Sequence, residues 1–377
     1  MSSGSTPDVA LVHDYFVQDG GAERVAIELA RMFPDAPVHT TFFEAARFRD
    51  RIPQTRVSTW PLSRIEPTAT RFRALLPAYI AYFSLLTVLA ERLVISNSST
   101  FARAVRVPPR ALHVAYVQSP LRFAWNVDGY LARSSFPAAA RVALRLAAPG
   151  LRRWDRWAGM RADVTVSNSI HMRDRIREVW GRDSTVIHPP VDVAASSIST
   201  EAEDFYLVTT RLLAYKRVDL AVRACTRLNR ELIVVGDGPE RSKLERMAGP
   251  RVRFVGHVAR AELEVFQRRC RALVVPGVED FGIAAVEAMG FGKPVVAFAA
   301  GGALETILNG RTGVLFDAQT SDSLATAIER LEATDLDPDI ARSRAMEFDV
   351  SVFHLRWREL LERLGLGDVM QDTASEG

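Results

Sequence analysis

The chain has 377 residues, 48% hydrophobic and 25% charged, with a formal net charge of +3 at pH 7. This is ordinary globular composition for about two domains. Its two cysteines, Cys225 and Cys270, can build neither a disulfide framework nor a four-ligand zinc site, so a reducing cytoplasm is the expected compartment.

The small net charge hides an asymmetry. Residues 1–190 carry 25 Arg and no Lys against 16 acids, net +9, whereas residues 191–377 are net −6. Such a split points to two domains with different partners.

In chain order, "MSSGSTPD" reads as a disordered start (1–7) with no charged-then-apolar leader. "VALVHDY" (9–15) is an expected strand, followed by a turn at Gly20-Gly21 and the amphipathic "AERVAIELARMF". The most apolar window, "LLPAYIAYFSLLTVLA" (75–90), is shorter than the roughly 20 residues of a membrane span, so a buried or interfacial helix is expected. Further strands are expected at "RLVISNS", "HVAYVQS" and "ADVTVSNS". After a linker near "STVIHPPVDVAASSISTEAEDF", six more follow: "FYLVTT", "ELIVVGD", "VRFVG", "ALVVPG", "PVVAF" and "TGVLF". Helical patterns such as "RVDLAVRACTRL" and "RAELEVFQRRC" separate them. Continuous Val/Ile/Leu runs alternating with helices predict parallel sheets buried on both faces, hence two doubly wound α/β halves.

Between Leu131 and Ala162 stand seven arginines (133, 141, 145, 152, 153, 156, 161) and one acid, Asp155, with Trp154 and Trp157 among them. This is either a solvated helix face or a surface for anionic lipid, where Arg and Trp suit the headgroup layer. Nucleic acid is not an expected partner, because the basicity is confined and the rest of the chain is acidic.

Ligands of open parallel sheets sit beyond the carboxyl ends of the strands. Two motifs fail there. Gly236-Asp237-Gly238-Pro239-Glu240-Arg241 has arginine where the dinucleotide fingerprint needs glycine, and in "GFGKPV" (290–295) Lys293 is followed by proline, unlike a phosphate loop. A third stretch, "EDFGIAAVEA" (279–288), sets Glu279 in a loop at a strand end and Glu287 about two helical turns later. The amides of Phe281 to Ala284 between them are donors at a helix start, suited to an anion. A nucleotide sugar has hydroxyls at two ends and phosphate in the middle. The alternative is a capping Glu279 and a solvated Glu287, and spacing alone leaves the two open.

The segment "PGVEDFGIAAVEAMGFGKPVVAFAAGGALETILNGRTGVLF" closely resembles the retaining family 4 glycosyltransferases of the two-domain GT-B fold, whose signature is a glutamate, seven residues and a second glutamate. "LVHDYF", "GGAERVAIELA", "YVQSPLRFAWN", "VIHPPVDV", "TTRLLAYKRVDLAVRA" and "VVGDGPE" extend the resemblance over nearly the whole chain, and "YKRVD" with "SPLRFAW" looks most like the mannosyltransferase-like branch. The resemblance implies two Rossmann-like domains with parallel sheets facing across a cleft. These are an acceptor-binding domain (1–195) and a nucleotide-sugar domain (196–350), followed by a helix (351–366) packing back on the first and a disordered tail (367–377).

It also implies roles. Arg211 and Lys216 match the basic pair on the donor diphosphate, Glu279 a sugar-hydroxyl contact and Glu287 the ribose contact. The amides of Phe281, Gly282 and Ile283 would face sugar and phosphate, and Gly20 and Gly21 would let backbone approach the diphosphate. Gln118 stands where the family usually has histidine, which keeps a hydrogen bond and loses a titratable group. In such enzymes the leaving phosphate is thought to take the acceptor's proton, so glutamine suffices. His13, at the end of the first strand, is open between site and scaffold.

The expected activity is therefore retaining transfer of a hexose, mannose from GDP-mannose, to a lipid-linked or glycan acceptor, without cofactor or catalytic metal. It would operate in the cytoplasm, peripheral on the inner face of the membrane. The alternatives are a UDP-sugar donor, a catalytically impaired nucleotide-sugar-binding scaffold, or an epimerase or phosphorylase of similar fold.

Overall fold

A computed structural model describes residues 7–64, 75–132, 137–201 and 203–370. The chain forms two compact units. The first takes in most of the chain up to Pro190 and resumes at Phe353; the second is essentially Val191–Val352.

The first unit holds a seven-stranded parallel sheet, order β3-β2-β1-β4-β5-β6-β7. Its strands are β1 (Val9–His13), β2 (Val38–Thr40), β3 (Val57–Thr59), β4 (Leu93–Ser98), β5 (Leu112–Val117), β6 (Val164–Ser167) and β7 (Thr185–Val186). All five residues of β1 and all six of β4 are buried, as strands covered on both faces must be. Sequence patterning did not single out β2, β3 or β7. With two or three residues each they carry no hydrophobic run, and they form by pairing onto the sheet's flanks.

The second unit holds a six-stranded parallel sheet, order β10-β9-β8-β11-β12-β13. Its strands are β8 (Phe205–Thr209), β9 (Glu231–Val235), β10 (Val252–Gly256), β11 (Ala272–Val275), β12 (Val295–Phe298) and β13 (Gly313–Phe316). β8, β11 and β12 are neighbours, so the loops that leave their carboxyl ends lie side by side.

The helix Val350–Arg363 buries Phe353, Trp357, Leu360 and Leu361 in the core cluster that also contains Leu11, Leu93 and Tyr116 of the first unit. Part of the expected tail is ordered. Gly367–Val369 forms a 3-10 turn because Asp368 makes a two-bond ion pair with Arg92 (2.6 and 2.7 Å), and Val369 and Met370 pack against that cluster. Of the expected disordered start, Pro7 is described and accepts a hydrogen bond from the Glu91 amide (2.8 Å). Residues 1–6 and 371–377 lie outside the described residues.

In the apolar window, the helix Leu76–Leu85 buries Tyr79 and Phe83. Leu85 and Leu89 remain 64% and 55% exposed, so this element is neither wholly core nor wholly surface. No helix among the described residues is long and apolar enough to cross a membrane.

Candidate active site

Two loops of the second unit bring the expected residues together. The loop after β8 carries exposed Arg211 and then Lys216. The loop after β11 carries Glu279, Phe281 and Gly282. Lys216 and Glu279 meet in an ion pair, Nζ lying 2.6 Å from each carboxylate oxygen. Both are largely but not wholly buried, with side chains 14% and 24% exposed. Such a pair is screened less than one at the surface.

Close backbone approach makes this meeting possible. A Cβ on Gly277 would sit 2.8 Å from the Lys216 carbonyl oxygen, so only glycine lets the β11 loop pass under residues 215–216. Arg217 follows in the left-handed region (φ 54°), held by Asp219 at 3.0 Å. Glu279 is fixed from the other side, where its carbonyl accepts the Gly302 amide (2.9 Å) beyond β12. A loop with a cation and an anion in direct contact can offer both charges to a ligand that carries a diphosphate and hydroxyls.

The helix Ile283–Gly290 starts at Gly282, whose φ of +97° is a conformation that L side chains rarely adopt. Phe281 is buried with its ring against Phe348 (5.3 Å, edge-on), which anchors the loop just before the helix start. The amides of Phe281, Gly282 and Ile283 lie at that start, the positive end of the helix dipole. Glu287 is not a solvated residue. Its side chain is 6% exposed, and its carboxylate accepts from Arg260 Nη1 (2.8 Å) and Gln267 Nε2 (3.0 Å). Neither partner stood out in the sequence. The only available signal was their spacing of seven on a helical pattern, which puts both on one face.

In the first unit Gln118 is part of a chain of side chains across four strand ends. His13 closes β1, Asn97 lies near the end of β4, and Gln118 and Asn168 follow β5 and β6. Gln118 Nε2 donates to Asn97 Oδ1 (2.9 Å), and Asn168 Nδ2 donates to Gln118 Oε1 (3.1 Å). Asn97 Nδ2 in turn donates to the Ala22 carbonyl at the start of the helix Gly21–Met32 (2.7 Å). Gln118 is 9% exposed and each end of its amide is already engaged. In this geometry it is first a bridge, and a sugar contact would have to use its remaining N–H or lone pair. Burial holds His13 below the ordinary histidine range, so its ring is neutral, with Nδ1–H donating to the Asn97 carbonyl (3.1 Å).

Gly20 and Gly21 cap the helix Gly21–Met32, and neither has a positive φ. The Gly20 amide is occupied, donating to the Glu23 carboxylate at 3.1 Å. A buried acid, Glu23, thus sits on this helix start.

Two family models match, one described as Glycosyltransferase Family 4 over residues 19–195 and one as Glycosyl transferases group 1 over residues 194–347. The chain belongs to the glycosyltransferases. One relative is a GDP-mannose-dependent alpha-(1-6)-phosphatidylinositol monomannoside mannosyltransferase of Mycolicibacterium smegmatis, 30% identical over 46% of this chain and 54% of its own. Another is a glycogen synthase of Mycobacterium tuberculosis, 32% identical over 50% of this chain and 49% of its own. The chain thus spans about half the length of the curated relatives it matches. Among solved structures, Anabaena HepE in complex with UDP matches with a TM-score of 0.67 at 21% identity, over 94% of this chain and 100% of that one. Sucrose-phosphate synthase from Thermosynechococcus elongatus matches with a TM-score of 0.66 at 19% identity, over 96% and 99%. Both show the fold, which is GT-B.

The arginine-rich stretch of this glycosyltransferase is the helix Ala138–Gly159 and its flanks. Its guanidinium groups are mostly pinned to the protein: Arg152 to the Ala124 carbonyl (2.7 Å), Arg156 to Val179 (3.0 Å) and Arg161 to Val105 (3.1 Å). Arg145 pairs with Asp128 (3.0 Å), and Arg133 lies outside the described residues. Trp154 packs inward, its Nε1 donating to Ser84 Oγ (3.1 Å). Of the two expected apolar anchors only Trp157 is exposed, but Leu146 (78%), Val142 and Met160 are exposed as well.

Proposed function

We propose that this chain is a retaining hexosyltransferase that moves mannose from GDP-mannose to a lipid-linked or glycan acceptor in cell-surface polysaccharide or glycolipid synthesis. The observation that carries the reading is the Lys216–Glu279 ion pair at the ends of β8 and β11, beside the start of the helix that bears Glu287. In the proposed reaction the bond from sugar C1 to the diphosphate oxygen breaks. Arg211 and Lys216 stabilise the charge that accumulates on the leaving diphosphate. The acceptor oxygen bonds to C1 on the same face, and its proton passes to the departing phosphate oxygen. Glu279 holds a sugar hydroxyl, Glu287 the ribose, and the amides of Phe281, Gly282 and Ile283 the sugar and phosphate. Gly20, Gly21 and Gln118 stay in the proposal as first-unit residues that meet substrate.

A ligand that binds only the folded state raises the melting temperature by mass action. At a hundredfold excess over Kd the gain is about 2.7 kcal/mol, easily seen in a thermal scan. GDP-mannose is expected to stabilise the protein more than UDP-glucose, UDP-galactose or free mannose. A shift with UDP-glucose alone would move the donor to the UDP class, the nucleotide bound to HepE in its solved structure. No shift with any nucleotide sugar would overturn the reading.

The proposed place of action is the cytoplasmic face of an anionic membrane, peripherally bound. Pinned arginines keep their charge, each contributing about 1 kcal/mol near anionic lipid, while Leu146, Val142, Trp157 and Met160 supply exposed apolar contact. Co-sedimentation with anionic vesicles should exceed that with neutral ones, fall with salt, and drop for Leu146→Ser with Trp157→Ser. Equal binding to both vesicle types, or none at low salt, would favour a soluble acceptor.

A further inference from the structure

We propose that a cavity between the edge of the second unit's sheet and the helix Ser321–Glu332 is a second hold for the acceptor, built for a run of neutral sugars. The inference rests on the glycan-acceptor reading above. The cavity measures about 480 Å³, within the roughly 300–1,000 Å³ of small-molecule sites. One wall is the edge strand β13, through Leu315, Phe316 and the following Asp317. The other is the helix Ser321–Glu332, which turns Leu324, Ala325, Ile328 and Leu331 into the core. Its residues Ser323, Thr326 and Arg330 stand at i, i+3 and i+7, so they share the face on the cavity and span about 10 Å along it.

These side chains are fixed with hydrogen-bonding capacity to spare. Asn309 takes the place of a further strand at the edge of β13, its Oδ1 accepting the Leu315 amide (3.0 Å). That bond orients the amide and leaves the Nδ2 hydrogens as donors. Ser323 Oγ donates to Asp317 Oδ1 (3.3 Å), and the other carboxylate oxygen keeps its lone pairs. The Arg330 guanidinium has no ion-pair partner among the described residues. Donors and acceptors thus line one trough. Asp317 disfavours a phosphate there, and Arg330 disfavours a cation. A neutral ligand with many hydroxyls, each able to donate and to accept, satisfies such a lining.

The cavity is tied to the candidate active site. Ala299, on its wall, begins the loop in which Gly301 lies beside Glu279, and the Gly302 amide holds the Glu279 carbonyl (2.9 Å). From the loop after β13, Gln319 Nε2 donates to the Pro276 carbonyl in the loop that carries Glu279 (3.2 Å). With β13 two strands from β11, a glycan seated here is anchored about 10 Å from that loop. A growing end can reach it from there.

The test titrates the full chain with linear tetrasaccharides of mannose, glucose and galactose, and with the three monosaccharides, by ligand-observed NMR. Wild type should bind at least one tetrasaccharide at least tenfold more tightly than its monosaccharide. Thr326→Val with Arg330→Met, both at exposed positions, should lose that gain, tenfold being the scale of a hydrogen bond to a charged group. Asn309→Asp, which keeps an acceptor for the Leu315 amide and removes the N–H donors, should lose it too. Wild-type binding to none of the tetrasaccharides, unchanged affinity in both variants, or displacement by inorganic phosphate would overturn the inference. The melting-temperature shift with GDP-mannose or UDP-glucose reports separately on the nucleotide-sugar reading. That shift without tetrasaccharide binding would sink this inference alone, and tetrasaccharide binding through the cavity without any shift would sink that reading alone.

Discussion

Lys216→Ala and Arg211→Ala are each expected to lower kcat/KM by about a hundredfold or more, on the order of 3 kcal/mol of transition-state stabilisation. The contact between Lys216 and Glu279 adds a sharper expectation. Removing the lysine leaves a mostly buried carboxylate without its partner, and removing the glutamate frees the ammonium to reorient. The two residues act as a unit. Lys216→Ala combined with Glu279→Ala should therefore cost clearly less than the sum of the single losses, with a coupling of about 0.5–3 kcal/mol. Single-turnover rates at saturating donor would separate chemistry from binding. Normal turnover in both single variants would remove this loop from the active site, and strict additivity would show that the ion pair has no role in turnover.

The second large effect is on stability. Asp155 is fully buried, bonded to Arg103 through one oxygen and through the other to the indole N–H groups of Trp125 (2.7 Å) and Trp180 (2.8 Å). Arg103 is equally buried, bonded to Ser98 Oγ (3.0 Å) and lying over the Trp180 ring (5.0 Å). Asp155→Asn leaves a guanidinium in the interior with no counter-charge. Breaking a buried pair from one side costs about 3–5 kcal/mol, whereas replacing both partners by apolar residues is far milder. Asp155→Asn should thus lower the urea midpoint of the first unit strongly, and Asp155→Leu with Arg103→Met should recover part of the loss. All six tryptophans belong to the first unit, so tryptophan fluorescence follows that transition. A change below 1 kcal/mol in Asp155→Asn would refute the assignment.

Asp155 also shows where the sequence stops being informative. As one acid among seven arginines it reads as a minor charge offset, and its three partners lie 52, 30 and 25 residues away. The strands were legible because burial on both faces demands unbroken Val, Ile and Leu, as in "ELIVV" and "ALVV". The Glu279–Glu287 spacing was legible through its motif. Their partners were not, because Lys216 meets Glu279 only through the adjacency of β8 and β11, 63 residues apart, and sequence order does not specify sheet order. Gln118 lay between these cases. The substitution itself is visible in one dimension, and the engagement of its amide with Asn97 and Asn168 is visible only in three.

The helix Val350–Arg363 places a constraint on how the protein can be made. Trp357 and Leu361 belong to the same core as Leu11 of β1 and Tyr116 of β5, yet they leave the ribosome only after the entire second unit. Domains usually finish folding in the order they are synthesised. Here the amino-terminal sheet must wait, with part of its apolar face uncovered, on the order of ten seconds at ordinary translation rates. The second unit, which ends at Val352, is complete before the first. A nascent chain stalled near residue 350 would thus expose the surface that chaperones recognise, and the described residues from Phe353 to Met370 act as the stitch that closes it.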